Sequence, residues 1–600
     1  MGVKGLQTYC ADNCSDVCER VNIEHLSQQY QNTTGRSPTI VVDGPSCLRR
    51  IYGNNSWVCG GQFKQFVENC CGFVDRFQNV GIKLVFFFDG PTVNEKRETW
   101  IQRRKRSIRD IERIFDSLSQ RHFWEERFPY QQPAGLNHFA RCIFKHLCHC
   151  EVHTSVQECD FEIAEFARNN SCFAVMGQDS DFIIYNSAPY YFSAENLDLV
   201  TLETVNFNTK ALADCLKLSV LHLPLFASLM GNDIIPAEKL KNFHTTYCQR
   251  KTGNKFEDIA LGVADYIRNF PPVGSGLHDY VEEICRVVFN DISMCDSLHQ
   301  SILSYIPGEN EGESIAQRSN AQTSWEQIIL EATSKHKRND IPSSIYATVM
   351  QMPYEASTYM EDFRKMDIPS SGIITRRIRQ RLYSVILSEC PQADSMEEWC
   401  VTGRESLERP YAVPILKPLP GRIKHSGLLT LWDHRKKDEP VMNERWTLLS
   451  WIISPKLPAL RLRHLQTHLV APVAALFYMI HEVHPVFLTP EELDLFIVVS
   501  VIMEQCDTSW LSKIVVRWPD ARAIRLTTLY LRLLVHVFDV NGACGFPIPP
   551  QDGLPSNCFD GKLFQHLYYN MKRGHSPRHE LRSAYHVQQF WNVRNLIVGE

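Results

Sequence analysis

Residues 82–90 read IKLVFFFDG, an uninterrupted apolar run that ends in an aspartate and a glycine. Residues 38–43, PTIVVD, form a second such run, and residues 173–181, FAVMGQDSD, form a third that leads into two aspartates. Continuous apolar runs, in contrast to alternating ones, are typical of strands covered on both faces. We therefore expect three buried strands, each with a carboxylate at its carboxyl end.

Segments of helical character separate these strands, and this alternation predicts an α/β fold with a parallel, doubly wound sheet flanked by helices. The predicted helices near the sheet are Gln62–Asn79, Glu95–Ser119, Gly135–Leu147, Phe161–Asn169 and Val220–Leu229. The second half of the chain is predicted to be mainly helical. There, Thr489-Pro490-Glu491-Glu492 indicates a helix start, and residues 520–539 indicate a further helix.

The length and composition indicate several globular domains. The chain has 600 residues, and its net charge of −5 gives no overall basic excess, so nucleic-acid binding would need local basic patches. We predict an α/β domain over 1–245, a helical extension over 246–305, a linker over 306–345 and a mainly helical domain over 346–600. The 21 cysteines form no compact disulfide framework, which indicates a reducing compartment. Neither a signal peptide nor a membrane span is expected.

Carboxylates are concentrated where the strands end, and ligands of open parallel sheets bind at that edge. The candidates are Asp43, Asp89, Glu158, Asp160, Asp179, Asp181 and Asp233. Carboxylates in one crevice repel each other, and a divalent cation with oxygen ligands removes this cost. We therefore predict a Mg²⁺ or Mn²⁺ site. The alternative for any single aspartate is a turn residue or a helix N-cap.

In these motifs the chain resembles the flap endonuclease/XPG nuclease family over about residues 1–240. The motifs are Met1-Gly2-Val3-Lys4-Gly5-Leu6, Val42-Asp43, Phe88-Asp89-Gly90, Glu158-x-Asp160, Asp179-x-Asp181 and Gly231-x-Asp233. The resemblance implies a PIN/flap-endonuclease-like sheet with the seven carboxylates as metal ligands. It also implies that Lys96 and Arg103, on the helix after Phe88-Asp89-Gly90, contact the scissile phosphate.

The sequence departs from the nuclease pattern after Gly231-x-Asp233. The nucleases have a glycine-rich helix-two-turn-helix there, which grips duplex DNA, whereas residues 234–240 read IIPAEKL. Asp160 also stands where the family has glutamate. The first departure argues against structure-specific DNA cleavage, whereas the second only shortens one metal ligand.

Segments from both ends of the chain resemble the constitutive coactivator of PPAR-gamma family, and its PPAR-gamma coactivator branch more than its RNA-binding paralogues. They are residues 38–61, GIKLVFFFDG at 81–90, LFASLMGNDIIP at 225–236, IRQRLYSVIL at 378–387, NGACGFPIP at 541–549 and FDGKLFQ at 559–565. The resemblance implies a nuclear transcriptional coactivator and scaffold that promotes nuclear-receptor-dependent transcription and adipocyte differentiation, with a catalytically silent nuclease-like domain. The alternatives are an active Mg²⁺-dependent flap or single-strand nuclease and an RNA-binding scaffold.

Two further features bear on partners and localisation. Arg103, Arg104, Lys105, Arg106 and Arg109 form a dense basic patch on a predicted helix. This patch could bind RNA or DNA, act as a nuclear import signal, or be a solvated helix face. No strict L-x-x-L-L receptor motif occurs, and the nearest variant, residues 530–534, is predicted to be core. We expect a nuclear protein, with the cytoplasm as a second location, that binds a nuclear receptor such as PPAR-gamma and no membrane.

Overall fold

The computed structural model describes residues 2–92, 96–120, 123–248, 254–306, 323–365, 367–402, 411–416 and 425–599. The chain divides into two compact units, each built from separate segments. The first unit comprises Met1–Arg50, Gly72–Thr99 and Cys150–Gln317, and the second comprises Ile51–Cys71, Trp100–His149 and Arg318–Glu600. Residues 307–322, which are 16 of the 40 residues of the predicted linker, lie outside the described residues. The predicted domain limits at residues 245, 305 and 345 stay predictions.

The first unit contains a seven-stranded mixed sheet with the order β1-β7-β6-β5-β2-β3-β4. Its strands are β1 Cys18–Asn22, β2 Thr39–Asp43, β3 Lys83–Phe88, β4 Glu151–Thr154, β5 Ala174–Gly177, β6 Tyr190–Ser193 and β7 Glu203–Phe207. Strands β2 to β6 are parallel, whereas β7 pairs antiparallel with β6 and with β1. The predicted α/β fold class is confirmed, but the sequence pattern revealed only β2, β3 and β5 and not the four strands β1, β4, β6 and β7.

Strand β3 shows why an uninterrupted apolar run forms a strand here. Successive side chains of a strand point to opposite faces of the sheet. On one face Phe86 packs against Phe73, with ring centroids 6.4 Å apart, and on the other Phe87 packs against Phe166 at 5.3 Å. Phe73 lies on the helix Phe63–Gln78 and Phe166 on the helix Cys159–Asn169. Helices therefore cover both faces of β3, and its apolar side chains pack against them.

Helices alternate with the strands as far as β6, and six α-helices between Thr209 and Leu303 follow the last strand, β7. The described α-helices are Leu6–Asn13, Ile23–Thr34, Gly44–Tyr52, Phe63–Gln78, Arg97–Ser119, Leu136–Cys142, Cys159–Asn169, Asp181–Tyr185, Thr209–Leu216, Leu223–Met230, Lys241–Tyr247, Lys255–Ile267, Val281–Val288 and Cys295–Leu303. A π-helical turn, Ile143–Leu147, continues the helix that ends at Cys142. Each of the five helices predicted near the sheet is present within a few residues of its predicted limits.

The second unit is mainly helical, as predicted. Its described α-helices after residue 322 are Ser324–Lys337, Ser343–Val349, Ser371–Ile374, Arg376–Ile386, Leu428–Trp432, Glu439–Ile453, Ala459–Arg463, Thr467–His481, Pro490–Ile502, Thr508–Ser512, Ala521–Ala543, Gly561–Lys572 and Ala584–Val598. A small sheet consists of β8 Tyr354–Glu355, β9 Ser395–Trp399 and β10 Tyr411–Pro414. The helix start predicted at Thr489 is confirmed by a reciprocal capping box with Glu492.

Buried leucines exclude the residue 530–534 segment as an accessible receptor motif. Leu531, Leu533 and Leu534 are fully buried on the helix Ala521–Ala543, so the prediction that this segment is core is confirmed.

Cys14 and Cys215 are joined by a disulfide, and the other described cysteines form no disulfide. No single described helix has the length and apolarity needed to cross a membrane. The bent pair Thr209–Leu216 and Val220–Met230 meets the requirement by length and composition only.

Candidate metal centre

Three of the candidate carboxylates follow neighbouring parallel strands. Asp43 is the last residue of β2, Asp89 directly follows β3, and Asp179 lies two residues beyond β5. The register aligns these ends, because Asp43 is level with Phe87 of β3 and Val42 is level with Met176 of β5. The order β5-β2-β3 therefore places all three aspartates at one edge of the sheet.

Short helices that begin at the same edge supply three more carboxylates. Glu158 is the N-cap of the helix Cys159–Asn169 and accepts the Phe161 N–H at 2.9 Å, while Asp160 lies in the first turn of that helix. Asp181 is the first residue of its helix. A carboxylate at a helix N-terminus is stabilised by the unpaired N–H groups. Glu158 is therefore a helix N-cap, which was the alternative to a metal-binding role, and it also belongs to the carboxylate cluster.

An acidic triad lies at the centre of the cluster. Asp160, Asp179 and Asp181 each offer a carboxylate oxygen, and these oxygens lie within 4.8 Å of one another. All three side chains are half-buried, whereas Asp43 is buried and Asp89 is exposed. The cluster therefore combines buried, half-buried and exposed carboxylates.

Lys96 is held by the carboxylates of this cluster. Its Nζ lies 2.5 Å from Glu158 Oε1 and 3.5 Å from Asp233 Oδ2. Burial of the ammonium acts to lower the pKa of Lys96, but the attraction of Glu158 and, more weakly, of Asp160 and Asp233 outweighs it and raises that pKa. Lys96 therefore supplies one positive charge to a pocket with an excess of carboxylates.

One lysine does not neutralise the cluster, and the pKa values of several of its carboxyl groups are therefore raised. Burial, followed by repulsion from Asp89, raises the pKa of Asp43 to about 7. Burial, followed by repulsion from Asp179, raises the pKa of Asp181 to about 8. The pKa of Asp160 is raised well above its ordinary value by burial and then by Glu158. Without a further cation, part of the cluster is protonated at neutral pH.

Two residues that the sequence interpretation missed support the triad. Tyr305 donates its hydroxyl to Asp181 Oδ1 at 2.7 Å, and the Asn232 amide donates to the Tyr305 hydroxyl at 3.2 Å. Asn232 is the middle residue of the motif Gly231-x-Asp233, and its place in that motif is the one sequence feature that could have identified it. Tyr305 lies far along the chain, and no local pattern marks it.

The amino-terminal motif packs on the same cluster. Gly2 has a φ of +41°, and a Cβ on it would overlap Asp179 Oδ1. The Ser180 hydroxyl donates to the Val3 carbonyl at 3.2 Å, and the Lys4 N–H donates to the Gly231 carbonyl at 2.9 Å. Glycine at position 2 therefore permits the close approach of the chain to Asp179.

The donor set fits a hard divalent cation. Every donor in the triad is a carboxylate oxygen, and such oxygens suit Mg²⁺ and Mn²⁺, whereas thiolate or imidazole ligands would favour other metals. The raised carboxyl pKa values reflect burial and mutual repulsion, both of which a further positive charge would offset. Asp160, Asp179 and Asp181 are the residues that could hold the ion.

The basic patch lies on the helix Arg97–Ser119. Arg103, Arg106 and Arg109 are exposed, whereas Arg104 is half-buried and its guanidinium lies 5.0 Å from the Trp100 ring centroid. Lys105 is half-buried as well. Arg103 belongs to the second unit and Lys96 to the first. The contact of Arg103 with a phosphate stays a prediction.

Curated proteins resemble this chain, one of them over its whole length. A protein of Bos taurus named constitutive coactivator of peroxisome proliferator-activated receptor gamma is 27% identical over 678 residues, which cover 100% of this chain and 95% of that protein. The Homo sapiens protein of the same name is 34% identical over 349 residues, or 57% of this chain and 38% of that protein. The predicted resemblance is confirmed. A family profile described as the FAM120A-like domain matches residues 216–308.

This profile match covers the segment in which the nuclease pattern is lost. After Gly231-x-Asp233 the chain turns into the helix Lys241–Tyr247, whose Phe243 is buried in the core of the first unit. Among solved structures, human GEN1 in complex with Holliday junction DNA is 13% identical, with a TM-score of 0.32, and the match covers 66% of this chain and 82% of that chain. The strand order of the sheet, and not this score, supports the α/β fold class.

Proposed function

We propose that this protein is a nuclear scaffold of the PPAR-gamma coactivator type, which promotes nuclear-receptor-dependent transcription and adipocyte differentiation. The observation that carries the proposal is the similarity to proteins named constitutive coactivators of that receptor, which extends over the whole chain. In this proposal the nuclease-like sheet is a rigid platform whose carboxylate pocket is catalytically silent.

A pull-down with the full chain tests the scaffold proposal. Purified protein is mixed with the immobilised ligand-binding domain of PPAR-gamma, and a reporter gene driven by the receptor is measured in cells with and without the chain. We expect retention on the receptor and higher reporter output. An Asp179→Asn/Asp181→Asn variant should act like the wild type in both assays. Absence of binding and of reporter output would contradict the proposal.

The carboxylate pocket supports a second function, a Mg²⁺-dependent nuclease. Asp160, Asp179 and Asp181 would hold the cation, which when bound would supply Lewis-acid charge for a phosphodiester. The chain's own residues would orient this chemistry: Tyr305 holds the Asp181 carboxylate through its hydroxyl, and Lys96 is within reach of the same pocket. A phosphate that displaces Glu158 from the Lys96 ammonium would be bound by a charge already in place.

Cleavage assays separate the two functions. Labelled flap DNA, single-stranded DNA and RNA are incubated with the protein and Mg²⁺ or Mn²⁺. The scaffold proposal predicts no cleavage by the wild type. Cleavage that is lost in Asp181→Ala would establish the nuclease function and contradict the claim that the pocket is catalytically silent. Receptor binding is tested separately by the pull-down.

A further inference from the structure

Three large aromatic rings lie exposed on one part of the second unit. Trp510, on the helix Thr508–Ser512, is 44% exposed, and Trp518, in the segment that follows, is 53% exposed. Tyr569, on the helix Gly561–Lys572, is 54% exposed. Aromatic side chains of this size are usually mostly buried. Three such rings therefore indicate a surface that contacts a ligand.

Direct contacts hold the two elements that carry these rings side by side. Lys562 donates its ammonium to the Ser512 carbonyl at 3.2 Å. The Asp520 N–H donates to the Gln565 side-chain oxygen at 2.9 Å, and Lys572 forms an ion pair with Asp520 at 2.6 Å. The segment 510–520 thus runs along the helix that carries Tyr569, so the three rings lie on adjoining elements.

The same two segments are basic, although the whole chain is acidic. Residues 507–520 and 561–573 contain five lysines and arginines and two aspartates, in a chain whose net charge is −5. Both aspartates are engaged, since Asp507 accepts the Trp510 N–H at 2.7 Å and Asp520 binds Lys572. We call this the basic–aromatic surface; its residues are Trp510, Lys513, Arg517, Trp518, Lys562, Tyr569, Lys572 and Arg573.

The order of rings and charges matches the repeating chemistry of a nucleic-acid strand. Lys562, Tyr569 and Arg573 lie seven and four residues apart, so they form one stripe of the helix. The Arg573 guanidinium lies 5.6 Å from the Tyr569 ring centroid and donates to the Tyr569 hydroxyl at 3.3 Å, which places a positive charge beside the ring. Single-stranded nucleic acids bind to stacked aromatic rings flanked by phosphate-binding cations. A duplex keeps its base faces stacked internally and cannot use such rings.

We propose that the basic–aromatic surface binds single-stranded nucleic acid, with bases stacked on Trp510, Trp518 and Tyr569 and phosphates on the neighbouring lysines and arginines. An acidic peptide fits less well, because protein interfaces are depleted in lysine whereas this surface carries three. The binding is separate from the receptor function and uses none of the carboxylate cluster.

Fluorescence anisotropy with the full chain tests this proposal. The probes are labelled oligo-uridine and oligo-thymidine of about 20 nucleotides and a duplex of the same length. We expect both single strands to bind at least about tenfold more tightly than the duplex. Comparison of the two single strands shows whether the surface prefers RNA or DNA. Lys513→Gln/Arg517→Gln should flatten the slope of log affinity against log salt by about 1.4.

Paired substitutions assign the binding to the rings. Trp510→Ala/Trp518→Ala should weaken single-strand binding by about tenfold or more, whereas Trp510→Phe/Trp518→Phe should stay within about threefold of the wild type. Both tryptophans are about half exposed, so the variants should melt like the wild type, which circular dichroism checks.

Three outcomes would overturn the proposal. The first is no binding of either single strand, or wild-type affinity in the double alanine variant. The second is loss of binding in Arg103→Gln/Arg106→Gln with full retention in the tryptophan variants, which would place the site on the helix Arg97–Ser119. The third is competition by polyglutamate that equals competition by unlabelled oligo-uridine, which would make the surface a site for acidic peptides.

Discussion

At the scale of single residues, Lys96 is the side chain whose role in the pocket can be tested most sharply. Its ammonium lies 2.5 Å from Glu158 and 3.5 Å from Asp233, so it occupies carboxylates that a cation could use. Lys96→Met should therefore raise the affinity for Mg²⁺, by about three- to tenfold. Isothermal titration calorimetry measures this change.

Lys83→Met is the matched control for the Lys96 variant. Lys83 also forms an ion pair with a glutamate, Glu151, at 2.6 Å, but it lies at the start of β3, at the opposite end of the strand from the site. Its removal should leave Mg²⁺ affinity unchanged. A lower affinity in Lys96→Met would show that the ammonium supports the metal and does not compete with it.

The negative charge of the ionised Asp181 carboxylate should destabilise the metal-free protein, because that carboxylate is half-buried beside Asp179. Burial and the neighbouring Asp179 raise the pKa of its carboxyl group to about 8. Asp181→Asn removes the charge and keeps an oxygen that accepts the Tyr305 hydroxyl. The free energy of unfolding without metal should rise by roughly 1–3 kcal/mol near pH 8. Denaturant titration measures it, with the exposed Asp12→Asn as control; a loss of stability would contradict the account.

The pH dependence of stability follows from the same groups. The folded protein keeps protons on Asp43 and Asp181 up to about pH 7 and about pH 8, whereas in the unfolded chain these groups release them near their ordinary pKa of 3.8. The folded state binds more protons in this window, so their contribution is full below about pH 4 and falls as the pH rises. Saturating Mg²⁺ should remove this loss.

Denaturant titrations between about pH 5 and about pH 8 measure this effect. The informative quantity is the free energy of unfolding of the wild type minus that of Asp43→Asn/Asp181→Asn, both measured without metal. This difference should become less favourable to the wild type as the pH rises. A difference that is flat or rises with pH would show that the two carboxyl groups titrate normally.

At the scale of helices and strands, local pattern explains what the sequence could predict. The strands β2, β3 and β5 were predictable because apolar side chains occupy both faces and an aspartate follows. The strands β1, β4, β6 and β7 were missed because none of them is a long apolar run that leads into an aspartate, and in β1 Glu19 and Arg20 are exposed. Their pairing depends on contacts with distant residues, which no local pattern encodes. Tyr305 was missed for the same reason.

The capping box at the start of the helix Pro490–Ile502 gives a prediction for one element. The Thr489 hydroxyl accepts the Glu492 N–H at 3.2 Å, and the Glu492 carboxylate accepts the Thr489 N–H at 3.0 Å. Thr489→Ala should lower the free energy of unfolding by about 1 kcal/mol, whereas Thr489→Ser should retain most of it. Denaturant titration compares the two; equal losses would show that the hydroxyl is not what stabilises the start.

At the scale of the whole molecule, the division into units could not be read from the sequence. The second unit combines Ile51–Cys71 and Trp100–His149 with the carboxyl-terminal half. One contact that joins these segments is the ion pair between Arg364 and Asp116, whose atoms lie 2.8 Å apart although the residues are 248 positions apart in the chain. Because the helical composition of these segments resembles that of the sheet-flanking helices, the sequence assigned them all to the α/β domain.

The convergence of distant carboxylates on one cation site is the claim on which the description of the pocket depends. Anomalous diffraction from crystals of the full chain soaked in Mn²⁺ tests it most directly. The account predicts an anomalous peak bounded by Asp160, Asp179 and Asp181, which disappears in Asp179→Asn/Asp181→Asn. A wild-type crystal with no peak, or with a peak only at other residues, would contradict it.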